Sequence, residues 1–350
     1  MDTSNAWVDG LSLEQCQRWL SVLPTKRIAV IGDVMLDHYY VGSVSRISPE
    51  APVPVVELER QTWRLGGAAN VAHNLRMLGA HVVLCGVVGD DSGGAQIREL
   101  AVQHGIEPSG IVTDRTRPTT IKSRIIGNNQ QLLRLDHEQR SPIGSDVLEQ
   151  ILAVLDATPQ LAAVIFEDYN KGVLHQRSIP QLVEWAQERS IPILVDPKLE
   201  NFFAYRGATL FKPNQKEASY ALGTPLESHD DILRAGRMLL ERLQARNVLI
   251  TLGSRGMMLL DSSNRWWQIP SVARHVADVS GAGDTVIATV TAMMVAGAPI
   301  LEAAAIANIA ASVVCGEPGV VPITTASLLA ALAFHMHPAD PRAEALPSRQ

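Results

Sequence analysis

The chain has 350 residues, of which 46% are hydrophobic and 19% charged, and its formal charge is −6. That size and composition exclude a single small core and a disordered chain, and fit one large α/β domain with an appendage or two modest domains. The negative charge, with no Lys/Arg run long enough to track a phosphate backbone, excludes general nucleic-acid binding. Cys16, Cys85 and Cys315 lie far apart without metal-ligand spacing and read as reduced thiols of a cytoplasmic protein. The first residues show neither a basic nor an apolar leader region, which argues against secretion.

Residues 1–25 read as an amphipathic helical lead-in carrying Leu11, Leu13, Cys16, Trp19, Leu20 and Leu23, ended by Pro24. Apolar runs follow at 27–32, 81–86, 162–166, 192–195 and 247–251, each with the profile of a buried parallel strand. Helical patterns lie between them at 70–78, 94–104, 146–157 and 179–189. This alternation predicts an α/β fold, a mostly parallel sheet with helices on both faces. Its ligands are expected beyond the carboxyl ends of the strands, where Gly- and Asp-rich loops gather.

Two stretches break the rhythm. Residues 38–64 alternate and contain Pro49, Pro52 and Pro54, and 117–137 alternate around Gly127-Asn128-Asn129-Gln130. Both read as exposed antiparallel strands, the second as a hairpin with Lys122 and Arg124 on one face. Together they predict a small β lid, with a solvated edge hairpin as the alternative. The apolar run at 285–315 is long enough to suggest a membrane span, but Gly297-Ala298-Pro299, Glu302 and Asn308 favour two buried helices. The segment 336–350 has the composition of a disordered tail.

The densest chemical signal is Asp278-Val279-Ser280-Gly281-Ala282-Gly283-Asp284-Thr285. Small residues let backbone N–H groups converge on an anion, and the helix that follows would point its positive end there. Asp284 is placed to accept a proton from an attacking hydroxyl. The alternative is an N-cap Asp without chemistry. A second glycine element, Gly66-Gly67-Ala68-Ala69-Asn70, would let the backbone approach a ligand, with Asn70 as donor and acceptor for a sugar hydroxyl.

Together these two elements resemble the signatures of the PfkB/ribokinase family of carbohydrate kinases. Thr289 stands where that family usually has Ala or Gly. The resemblance spans about residues 25–330 and implies a ribokinase-like kinase domain over 26–335. The strings Arg46-Ile47-Ser48-Pro49-Glu50-Ala51-Pro52-Val53, Gln130-Gln131-Leu132-Leu133-Arg134-Leu135-Asp136 and Asp168-Tyr169-Asn170-Lys171-Gly172 resemble the branch acting on D-glycero-D-manno-heptose 7-phosphate at C1. No His-x-Gly-His motif of the nucleotidyltransferase partner domain occurs, so the expectation is a stand-alone kinase. Another sugar or nucleoside kinase, or a catalytically silent sugar-binding regulator, remains open.

The resemblance implies Asp284 as general base and Gly281, Ala282 and Gly283 as the anion hole, with ATP and Mg²⁺ as cofactors. Asp284 is expected to be ionised at neutral pH. Asn214 and Glu217 are implied to act on Mg²⁺ through its water shell; the alternative is a helix cap. Thr251, Gly253 and Gly256 match the nucleotide loop, and Asn308 would lie near the adenine. Asp37, Gly66, Gly67 and Asn70 match sugar-contacting positions. Asp168, Lys171 and Lys198 are candidate substrate contacts or surface charges, and Lys122, Arg124, Arg134 and Arg46 are candidates for the sugar's far phosphate. A homodimer through the lid is expected, with no membrane partner.

Overall fold

The structure is a computed structural model and describes residues 11–273 and 275–336. The start of the expected lead-in and all but the first residue of the expected tail lie outside the described residues. The lead-in contains helix α1 (Leu13–Val22), whose Ser12 and Gln15 form a reciprocal cap.

Five strands follow the apolar runs: β1 (Arg27–Gly32), β4 (His81–Val88), β8 (Leu161–Glu167), β9 (Ile193–Asp196) and β11 (Asn247–Thr251). Four more join them: β5 (Glu107–Thr113), β10 (Leu210–Phe211), β12 (Met257–Asp261) and β13 (Trp266–Ile269). The nine-stranded sheet runs β13-β12-β11-β10-β9-β8-β1-β4-β5 and is parallel except at β12 and β13. From β1 the chain builds outward to β4 and β5, then returns to build from β8 the other way. The strand order therefore reverses between β1 and β8, the place where such sheets open a crevice at their carboxyl ends.

Helices α2 (Ala68–Met77), α3 (Ser92–Gln103), α8 (Ala282–Val295), α9 (Ile300–Cys315) and α10 (Thr325–Met336) pack with α1 on one face. On the other lie α4 (Ser145–Ala157), α5 (Ser178–Glu188), α6 (Gln215–Leu222) and α7 (His229–Leu243). Successive strand residues point to opposite faces. Thus Ile28, Val30, Ala163, Ile165 and Leu194 enter the first core, while Ala29, Ile31, Val164, Phe166 and Val195 enter the second. The same parity carries Glu167 and Asp196 to the α8 side and sends Asp168 to the other. The apolar run at 285–315 is two helices parted at Gly297 (φ +98°), and among the described residues no helix is long and apolar enough to cross a membrane.

The lid is a separate four-stranded sheet of β2 (Val34–Ile47), β3 (Pro54–Gly67), β6 (Ile121–Gly127) and β7 (Gln130–His137), ordered β3-β2-β6-β7. Asn128 and Asn129 both have positive φ, as a two-residue hairpin turn requires. The pairing of β2 with β6 is parallel, so the lid mixes both modes and is not wholly antiparallel as expected. A parallel pair needs a long crossover, here the excursion through α2, β4, α3 and β5. That is why local alternation could not reveal it.

Candidate active site

Gly281 caps α8 at φ +80°, where a Cβ would lie 3.0 Å from Nδ2 of Asn70. The first turn of α8 leaves backbone N–H groups short of intrahelical acceptors. Asp284 stands in that turn and is buried. Its Oδ2 accepts from Nδ2 of Asn70 at 2.7 Å and its Oδ1 from the hydroxyl of Tyr169 at 2.8 Å. Asn70 opens α2 behind Gly66 and Gly67. Gly67 has φ +56°, and a Cβ there would meet the carbonyl oxygen of Asp33 at 2.5 Å.

Three residues outside the expected site set this geometry. Asn74, one turn along α2, donates from Nδ2 to the Asn70 carbonyl at 2.9 Å and accepts the Ile323 N–H at 2.9 Å. Asp33 accepts the backbone N–H groups of Tyr169 and Lys171, both at 2.9 Å, and of Val173 at 3.1 Å, shaping the loop that carries Tyr169. Tyr169 itself stood in a recognised string, but its role depends on meeting a helix 115 residues away. Asp33 directly after a Gly-terminated apolar strand was the one available signal.

Electrostatics at this centre are governed by burial. Burial, with the charge of Asp196, pushes the Asp284 carboxyl up to about 6, while the Asn70 and Tyr169 hydrogen bonds and Lys212 oppose that rise. Its place in the first turn of α8 favours the charged form, and desolvation outweighs that effect. Glu167 is held well above the carboxylate range, first by burial and then by Asp196 and Asp284. Lys212 Nζ sits 2.7 Å from Asp196 Oδ2, and this partner outweighs the burial that would lower the lysine. The ammonium is also 3.6 Å from where a Cβ on Gly283 would stand, which puts a cation beside the proposed anion hole.

One oxygen each of Glu167, Asp196 and Asp284 lie within 4.8 Å of one another, an all-oxygen donor set that fits a hard divalent cation such as Mg²⁺. Asn214 and Glu217 form a reciprocal cap on α6: Asn214 Oδ1 accepts the Glu217 N–H at 2.9 Å and Glu217 Oε2 accepts the Asn214 N–H at 2.8 Å. Glu217 Oε1 also takes Lys198 Nζ at 2.6 Å. The cap and the ion pair thus engage Asn214 Oδ1 and both carboxylate oxygens of Glu217.

The remaining candidates divide by partner. Asp37 is buried and paired with Arg124, and a Cβ on Gly66 would meet its Oδ2 at 2.5 Å. Lys171 is held by Glu138 at 2.6 Å, and exposed Arg134 by Asp136 at 2.9 Å. Asp168 faces away from Asp284; it accepts the Tyr205 hydroxyl at 2.7 Å, and burial with the nearby Asp33 pushes it up to about 6. Lys122 and Lys198 flank the Tyr169 ring, with Nζ 5.2 and 5.1 Å from its centre. Burial lowers Lys122, which makes no ion pair among the described residues. Arg46 lies on the exposed far end of β2.

Next to the anion hole opens a cavity of about 350 Å³, lined by Thr251, Gly253, Gly256, Gly283 and Asn308 with apolar walls that include Val279. Gly256 has φ +84°, and a Cβ there would strike the Ile269 carbonyl oxygen at 2.0 Å. Asn308 donates to the Pro270 carbonyl at 2.8 Å. Asn214 bridges to Thr251 at the cavity's edge. The apolar wall was not readable in the sequence, because its residues come from β12, α8, α9 and the loops between them at once.

The profile of the pfkB family carbohydrate kinases matches residues 25–326. The chain is 41% identical over 311 residues to "Bifunctional protein HldE" of Pelobacter propionicus, covering 89% of this chain and 64% of that protein. Against the protein of that name from Helicobacter hepaticus it is 42% identical over 307 residues, covering 87% and 63%. The chain thus spans just under two thirds of the length of these relatives. Phosphofructokinase-2 from Escherichia coli in complex with substrates and products is similar at TM-score 0.75 and 19% identity, covering 88% of this chain and 99% of that one. Ribokinase of Arabidopsis thaliana complexed with ribose and ATP gives TM-score 0.68 and 21% identity, with coverage of 88% and 99%. At such identities these two structures speak to the fold.

The Asp284 environment predicts a titration. In aspartate-labelled protein, with Asp284→Asn assigning the signal, the ¹³C resonance of the Asp284 carboxyl should titrate near pH 6. Tyr169→Phe removes a hydrogen bond to the charged form, so the midpoint should move to higher pH. An ordinary carboxylate midpoint in both proteins would contradict this electrostatic account.

Proposed function

The chain belongs to the pfkB family of carbohydrate kinases, and we propose that its acceptor is D-glycero-D-manno-heptose 7-phosphate. It is a phosphotransferase with an alcohol acceptor and uses ATP with Mg²⁺. The proposed product is the 1,7-bisphosphate, an intermediate toward ADP-heptose for the lipopolysaccharide core. The carrying observation is one tyrosine joining two functions. Its hydroxyl holds the Asp284 carboxylate, and beside its ring stands Lys122, an ammonium without an ion-pair partner among the described residues. A phosphorylated sugar lying along this side would meet a base at one end and a cation at the other.

In the proposed reaction, Asp284 takes the proton from the C1 hydroxyl. That oxygen forms its bond to the γ-phosphorus as the bond to the β–γ bridging oxygen breaks, and ADP leaves. Gly281, Ala282 and Gly283 would present backbone N–H groups, that of Ala282 now donating to the Val279 carbonyl at 3.3 Å, and Lys212 its ammonium to the charge on the transferred group. Asn70 and Tyr169 fix the base in place. Asn214 and Glu217 would hold Mg²⁺ through water, and the bound ion would supply charge neutralisation for the nucleotide's phosphates. Thr251, Gly253, Gly256 and Asn308 would line the nucleotide. Among the lid cations, Arg124 and Arg134 are already paired, which favours Lys122 for the 7-phosphate.

Two further readings accompany this one. Leu58, Leu133 and Leu135 are more than half exposed on the lid, and such a face supports a two-fold homodimer through it. Free cysteines and the use of ATP support a cytoplasmic site of action.

Asp284→Asn should lower kcat by about 10²–10⁴ while ATP still binds; near-normal turnover would remove Asp284 from its role. Phosphorus NMR with ATP and a sugar panel should show a new anomeric phosphate from heptose 7-phosphate. Free fructose and ribose should react poorly. In Lys122→Met, the KM for heptose 7-phosphate should rise about tenfold or more with kcat little changed. Efficient use of free fructose or ribose, with heptose 7-phosphate untouched, would overturn the substrate assignment. Light scattering should report a dimer; a fully active monomer at working concentration would contradict the lid interface.

A further inference from the structure

Glu167 stands at the centre of the site, and the reaction as derived gives it no task. It ends β8 with a relative exposure of 0%, and neither side-chain oxygen meets a hydrogen-bond donor among the described residues. Its neighbours differ in this respect. Asp284 is bonded to Asn70 and Tyr169, Asp196 to Lys212, and Asp33 to three backbone N–H groups. A buried carboxylate without partners is among the most unfavourable groups a fold can hold.

Withdrawal to solvent is closed to it. The Glu167 carbonyl accepts the Asp33 N–H at 3.2 Å, and β1 runs so near that a Cβ on Gly32 would lie 2.0 Å from that carbonyl oxygen. Strand alternation then directs the side chain to the α8 face, where its oxygen lies within 4.8 Å of one oxygen each from Asp196 and Asp284. The nearby ammonium groups attract it but bond elsewhere, Lys212 to Asp196 and Lys198 to Glu217. Two oxygens on one cation lie at most twice the bond length apart, roughly 4.2 Å for Mg²⁺ and roughly 5.2 Å for Ca²⁺, so a cluster of this size needs little movement to close on such an ion.

We propose that Glu167, together with Asp196, is a direct ligand for a divalent cation that the protein holds in the absence of nucleotide. This cation is distinct from the Mg²⁺ that Asn214 and Glu217 would reach through water. All its donors are carboxylate oxygens, so a hard divalent cation is the class of ion the site would take, and the phosphoryl-transfer reading favours Mg²⁺ or Mn²⁺ over Ca²⁺. Held there, it would offset the mutual repulsion of the three carboxylates. The inference rests on the phosphoryl-transfer reading only for the kind of cation expected. Its test uses neither sugar nor nucleotide, so failure here would leave the kinase reading standing.

The test is a titration of the full chain with Mn²⁺, followed by the loss of the free-ion electron paramagnetic resonance signal. Wild-type protein should bind one Mn²⁺ per chain, displaced by Mg²⁺. Glu167→Gln, which keeps the side chain's shape, should weaken binding about tenfold or more, with circular dichroism confirming that it folds. The proposal is overturned if wild-type protein takes up no Mn²⁺ at millimolar concentration, a result that depends on no variant. It is equally overturned if folded Glu167→Gln binds Mn²⁺ as wild type does.

Discussion

The structure depends on one buried contact, the 2.7 Å hydrogen bond from Asn70 to Asp284 across 214 residues of sequence. It joins the first turn of α2, which follows β3, to the first turn of α8, which follows β13. A buried carboxylate is unfavourable without donors, and donors of fixed direction require fixed backbones. Asn74 orients Asn70, Gly281 lets α8 begin close to it, and Asp33 shapes the loop that brings Tyr169 to the other oxygen. Each depends on the order reversal between β1 and β8, which opens the crevice in which the two helices meet.

Charge is distributed around that contact so that most cations have partners. Lys212 neutralises Asp196, Lys198 serves Glu217, Lys171 serves Glu138, and Arg124 serves Asp37. Lys122 on β6 has no such partner among the described residues, although it is largely withdrawn from water beside Tyr169. A desolvated ammonium gains most from an anionic ligand that arrives with its own charge. The acidic cluster of Glu167, Asp196 and Asp284 repels such a ligand, so the proposed phosphorylated sugar would have one favourable orientation between cluster and cation.

Much of the fold was legible because buried parallel strands appear as short β-branched runs, such as 27–32 and 247–251. The strands that escaped had physical reasons to do so. Met257–Asp261 contains only Met, Leu and Asp, which favour helices or turns as readily as strands. Glu107–Thr113 holds a proline and a glycine, and Leu210–Phe211 is too short to show a period. At the site, glycine loops and Asp284 were readable because close backbone approach demands small residues in a fixed pattern. The parts played by Asn74, Lys212 and Glu167 were not, since each is decided by a neighbour distant in sequence. Glu167 and Asp168 show the limit well: adjacent carboxylates with identical local signal, directed by strand parity to opposite faces of the sheet.

The central claim is that Asp284 acts as a base whose proton affinity is set by its burial and its two donors. The pH dependence of kcat/KM for the phosphorylated sugar, at saturating ATP, tests this most directly. A base pushed up to about 6 is inactivated as pH falls through that value, so the rate should drop about tenfold per pH unit below it. A profile that stays flat well into the ordinary carboxylate range, with the protein still folded, would contradict the account.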